Sequence, residues 1–145
     1  MIKIIKLVSV FFICLNLVSF ALAESSFFEE GIIKYNEKKY EESKFLFQRS
    51  IVFSPKDERS YLYLAKIYKL EDNEREEQKN INTVLLLNPK NEEANYLLME
   101  IELKKSNYSK VKELSKNFSK ICNKLCDKKN LILESLESLE PKNES

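Results

Sequence analysis

Pro55 and Pro89 stand 34 residues apart, and each closes an apolar run, Ser50-Ile-Val-Phe-Ser-Pro and Val84-Leu-Leu-Leu-Asn-Pro. Tyr40 and Tyr108 stand 68 apart, twice that spacing. Proline cannot donate to a helix and pushes the residue before it, Ser54 or Asn88, out of the α region. Two helices must therefore stop at the same point of a 34-residue unit. Polar interruptions at Asn36-Glu-Lys-Lys39, Glu71-Asp-Asn73 and Lys105-Ser-Asn107 split each unit into two apolar periods joined by a tight turn. The spacing predicts helices at 26–36, 40–53, 58–70, 74–87, 92–104 and 108–125.

Place by place, this period resembles the tetratricopeptide repeat, which has a large residue at place 4, Leu at 7, a small residue at 8, aromatics at 11 and 17, Ala at 20, an aromatic at 24, Ala at 27 and Pro at 32. With the two prolines at place 32 the units are 24–57, 58–91 and 92–125. Phe27, Gly31, Tyr40, Ser43, Phe47, Ser50 and Pro55 match in the first unit, and Tyr61, Leu64, Ala65, Tyr68 and Pro89 in the second. Glu30 and Lys34 depart in the first; Glu74 and Glu77 depart in the second, where an aromatic and an Ala are usual. The third keeps Leu98 and Tyr108, but Met99, Ser115, Phe118 and Asn123 replace the small residue, the aromatic, the Ala and the Pro. Small residues at places 8 and 20 let the two helices of a unit approach closely, and aromatics at 11 and 17 fill the space between units. The resemblance implies an all-α solenoid of helical hairpins, three repeats long. Beyond it Ile132, Leu136 and Leu139 recur at helical spacing before Pro141, which predicts a capping helix at 126–140 and a disordered tail at 141–145.

The first residues read Met-Ile-Lys-Ile-Ile-Lys, then an apolar run from Leu7 to Leu22, then Ala21-Leu22-Ala23 before Glu24. A basic start, apolar middle and small residues at the end describe a secretory signal peptide over 1–23. The run is short of the roughly 20 residues a spanning helix needs. An uncleaved anchor and lipid attachment at Cys14 are the alternatives. Export, with the bacterial periplasm as destination, is the expectation, or a membrane-anchored form facing the periplasm.

The chain holds 24 basic and 23 acidic residues, no His and one Gly. That composition excludes His-based catalysis and His-liganded metal sites, and it leaves no glycine-rich phosphate loop. Paired carboxylates such as Glu41-Glu42 and Glu92-Glu93 stand at helix starts, where the helix dipole favours them. The near-balance of charge gives no nucleic-acid footprint. No enzymatic role, cofactor, metal, nucleic acid or small-molecule substrate is expected. Cys122 and Cys126 lie four apart, a spacing open to three readings: packed reduced thiols, a local disulfide, or contact with a partner.

In the resembled family the concave face is lined from places 2, 5, 9, 12 and 13. Carried over, the lining includes Phe28, Ile32 and Tyr35, then Leu62, Lys66 and Lys69, then Glu93, Tyr96, Glu100 and Leu103. Of these Phe28, Ile32, Tyr35, Leu62, Lys66, Lys69, Tyr96 and Leu103 are the candidate partner contacts, an apolar floor with a basic centre. Phe28 and Ile32 stand where chaperone-binding members begin the clamp for a C-terminal carboxylate, so that clamp is absent. The function implied is an exported adaptor or scaffold that binds a peptide or helix of another envelope or secreted protein. The alternatives are a self-associating structural protein and a membrane-tethered assembly factor anchored by 1–23. Either would make the partner set a second copy of the chain or a membrane.

Overall fold

The computed structural model describes residues 27–139, so the leader expected at 1–23 and the tail expected at 141–145 lie outside the described residues. Seven helices and no strand are present among the described residues. They are α1 (27–36), α2 (Tyr40–Phe53), α3 (Glu58–Leu70), α4 (Glu74–Leu87), α5 (Glu92–Lys104), α6 (Tyr108–Ile121) and α7 (Cys126–Leu139). The fold is all-α and of the tetratricopeptide type.

The period of 34 governs more than the prolines. First helices start at Glu58, Glu92 and Cys126, and second helices run from Tyr40, Glu74 and Tyr108 to Phe53, Leu87 and Ile121. The turns inside the pairs place Lys38, Asp72 and Ser106 in the left-handed region, with φ of 60°, 55° and 56°. In each, the next amide closes the preceding helix by reaching back five residues: Lys39 N to Lys34 O at 2.9 Å, Asn73 N to Tyr68 O at 2.9 Å, and Asn107 N to Glu102 O at 2.9 Å. This is a Schellman closure, built without the glycine that usually occupies its left-handed residue.

The expected end of the sixth helix at 125 is corrected to Ile121, the same repeat place at which α2 and α4 stop. Asn123 replaces the helix-ending Pro, but other groups hold the break open. The Glu92 carboxylate accepts hydrogen bonds from Lys124 N and Leu125 N, both at 2.9 Å, and Cys122 is bonded to Cys126 with Cα atoms 5.3 Å apart. The backbone bond from Asn123 first, and then those from Leu125 and Lys124, hold the Glu92 carboxyl below its ordinary value against some desolvation. The amide one repeat before Lys124, Lys90 N, is met locally by Asn88 Oδ1 at 3.2 Å, whereas here the oxygen comes from Glu92 of α5. Cys122, at the place of Asn88, has no side-chain oxygen to offer.

The chain divides into two compact units, residues up to Tyr63 and residues from Leu64. In the first, a side chain at Gly31 would place its Cβ 2.7 Å from Phe47 Cε1, so the ring packs directly on the glycine. Ser43 Oγ donates to Gly31 O at 2.8 Å, and Ser60 Oγ donates to Ser50 Oγ at 3.0 Å. Phe47 is fully buried, stacks on Tyr63 at 5.1 Å between centroids and meets Phe28 at 5.7 Å.

In the second unit Met99, Val111, Leu114, Phe118, Ile132 and Leu136 form one buried cluster. Large and small have changed places here. Buried Ser115 stands where the repeat has an aromatic, and fully buried Phe118, one turn on, supplies the missing volume. The departures that made the third repeat look weak thus conserve core volume, which is what a close-packed interior requires.

Ala65 is fully buried at the repeat place that Gly31 occupies in the first unit. Ala65→Leu should lower stability by about 1–3 kcal/mol through overpacking. Urea unfolding measures it, and an unchanged midpoint would contradict the close packing assigned to this place.

Candidate partner-binding face

The candidate contacts lie on first helices or at their ends, and the two units treat them differently. In the first unit Phe28 is interior, 7% exposed, and meets the edge of Tyr63 at 6.0 Å. Leu62 is buried as well. Ile32 and Tyr35 are half-buried, and the Tyr35 ring packs edge-on to Tyr40 at 5.6 Å and Tyr63 at 5.1 Å. Arg59 covers the ring of Phe28 with its guanidinium 4.2 Å from the centroid, while the Asp57 carboxylate holds it from both oxygens, Nε to Oδ1 at 2.8 Å and Nη2 to Oδ2 at 2.7 Å. Phe28 and Leu62 therefore contribute chiefly to the core. Of the candidate contacts in this unit, Tyr35 and Ile32 remain part-exposed.

In the second unit the expected basic centre is matched from within. Lys66 Nζ lies 2.7 Å from Glu93 Oε1, and Lys69 is paired with Glu100. Tyr96 Oη donates to the other oxygen of Glu100 at 2.8 Å. Burial first, and then the hydrogen bond to Glu100 and its charge, push the Tyr96 hydroxyl up to about 12. It is a fixed donor at every physiological pH. Lys128, in the first turn of α7, sits 5.8 Å from the centroid of the Tyr96 ring, and Leu103 packs half-buried against the unit's core cluster. The face is a row of alternating charges with one aromatic in it.

Glu93 and Glu100 stand at concave places of the repeat, so their availability to Lys66 and Lys69 was legible. The missed signal was spacing: 27 and 31 residues join neighbouring first helices in a 34-residue repeat. Glu77 was read as a departure from Ala and nothing more. It is a buried carboxylate, 2% exposed, raised above its ordinary value by desolvation despite the charges of Lys69 and Lys104. Among the described residues no group of three His, Cys, Asp or Glu side chains is placed to hold a metal ion, and no helix is long and apolar enough to cross a membrane.

No family model matches the sequence, and no curated protein matches it either. Solved structures do match the fold. The TPR2B domain of yeast Sti1, in its pHsp70 complex, is similar with a TM-score of 0.73 at 12% identity over 82% of this chain and 99% of that one. The second TPR domain of human RPAP3, with the HSP70 peptide SGPTIEEVD, gives 0.68 at 16% over 81% and 98%. The type III secretion chaperone SycD of Yersinia enterocolitica, with a peptide of the translocator YopD, gives 0.68 at 17% over 79% and 89%. At such identities the likeness is one of fold.

Because Glu77 binds its proton more tightly when folded, its penalty is absent well below the ordinary value of 4.5 and grows as pH rises through the raised value. Glu77→Gln should therefore stabilise the protein by about 1 kcal/mol near neutral pH, with the gain vanishing toward acid. Denaturant midpoints of both proteins across pH check this. A loss of stability at neutral pH would mean that attraction by Lys69 and Lys104 outweighs burial.

Proposed function

We propose that this chain is an exported protein–protein interaction module that binds a segment of another envelope or secreted protein on the face that Lys66, Lys69, Glu93, Tyr96 and Glu100 form. The observation that carries the reading is the row Lys66–Glu93, Lys69–Glu100–Tyr96, in which part-exposed charges on α3 and α5 are held in register by packed helices. A partner presenting both signs of charge can exchange into such pairs, with Tyr96 as the aromatic contact, and gains specificity and association rate from the match. The face asks for a partner of mixed charge rather than an acidic tail. Two fold neighbours solved with peptides and a third solved as a pHsp70 complex support a peptide-binding use of this architecture. The leader-like start at 1–23 supports export, with Glu24 as first residue of the native protein.

Inverting one pair, Lys66→Glu with Glu93→Lys, keeps an ion pair but reverses its polarity. Helical circular dichroism should be unchanged, while partner capture from the protein's own cell extract should fall by about tenfold or more, most at low salt. The captured native protein should begin at Glu24. Normal capture by the inverted variant, with loss on substituting exposed Leu86 of α4 by Asp, would move the working surface to the second helices.

A further inference from the structure

Residues 108–129 hold seven lysines and two acidic residues, against 17 basic and 21 acidic residues elsewhere. Lys112, Lys116 and Lys120 stand one turn apart on the exposed side of α6, opposite buried Val111, Leu114 and Phe118. Lys124 and Lys128, both exposed, continue the run into the link and the first turn of α7. Each second helix pairs one lysine with an acidic residue one turn away, Lys44 with Glu41, Lys79 with Glu76 and, on α6, Lys110 with Glu113. Lys116 and Lys120 form no ion pair with another described residue. Like charges at this spacing repel and weaken a helix.

Its chemistry narrows the partner. The stripe has no arginine, hence no planar fork for bidentate carboxylate or phosphate contacts, and Asn117 and Ser119 between the lysines give bases nothing to stack on. Lysine is also depleted at protein interfaces. Hydrated point charges that act without fixed geometry suit a diffuse anionic layer, and each near such a surface adds attraction. Leu131, exposed one turn beyond Lys128, adds a shallow apolar contact. The Glu92 carboxylate and the Cys122–Cys126 bond hold down the link that carries Lys124. We propose that the lysine face of α6, extended by Lys124, docks on an anionic phospholipid surface, apart from the partner-binding face.

The test is sedimentation of the full chain with phosphatidylglycerol-rich vesicles and with pure phosphatidylcholine vesicles. The readout is the ratio between them, because an apolar segment at 1–23 binds both. The triple variant Lys112→Gln, Lys116→Gln, Lys120→Gln is compared with a control losing equal charge at exposed Lys38, Lys56 and Lys90, each also changed to Gln. Circular dichroism checks that both are folded. Wild type and control should favour the anionic vesicles by about tenfold at low salt, fading as salt rises, and the α6 variant should lose most of that preference. Equal binding to both vesicle types, equal loss in both triple variants, or binding of soluble polyaspartate without binding of vesicles would overturn the proposal.

Discussion

The first unit is organised by an aromatic ring seated on a bare backbone. Phe47 occupies the space where any side chain at position 31 would begin, and that contact sets how closely α1 and α2 approach. A glycine inside a helix costs about 1 kcal/mol relative to alanine, whereas fully burying a phenylalanine contributes about 1.5–3 kcal/mol, so the exchange favours the fold. With the ring in place, Ser43 reaches the Gly31 carbonyl, Tyr63 stacks on Phe47, and Phe28 lies between them and the Arg59 guanidinium. The side chains this unit shows to solvent on α1 and α3 are positioned by what lies beneath.

In the second unit electrostatics takes over the corresponding role. The first-helix face is internally neutralised, lysine against glutamate, while the second helix α6 carries four lysines against one glutamate. A neutralised row discriminates between partners through geometry and matching pairs; a lysine-rich stripe attracts anionic surfaces broadly and is screened by salt. The two surfaces therefore suit different tasks. Glu92 serves both halves of this arrangement, starting α5 and fastening the link into α7.

Helices, turns and units were legible because the period of 34 is written in residues with strong backbone consequences, above all Pro55 and Pro89. Where the sequence drops such a residue, as at Asn123, the period still holds and is the better guide: it ends α6 at Ile121, four residues before the apolar pattern fades. The left-handed residues Lys38, Asp72 and Ser106 carry no glycine, so their conformation is visible only in the backbone. Exposure was the harder quantity. Phe28 and Leu62 fall on lining places yet are buried, since a repeat place fixes direction and not depth, and the pairing of Lys66 and Lys69 depends on side chains about 30 residues away that only repeat geometry brings together.

The dependence of the first unit on one ring and one glycine can be measured as a coupling energy. In a double-mutant cycle of Gly31→Ala and Phe47→Leu, followed by urea unfolding, Gly31→Ala should cost about 1–3 kcal/mol beside the phenyl ring and much less beside the shorter leucine side chain, a coupling of about 1 kcal/mol or more. The same cost in both backgrounds would contradict the account, because the space at position 31 would then be set by something other than the Phe47 ring.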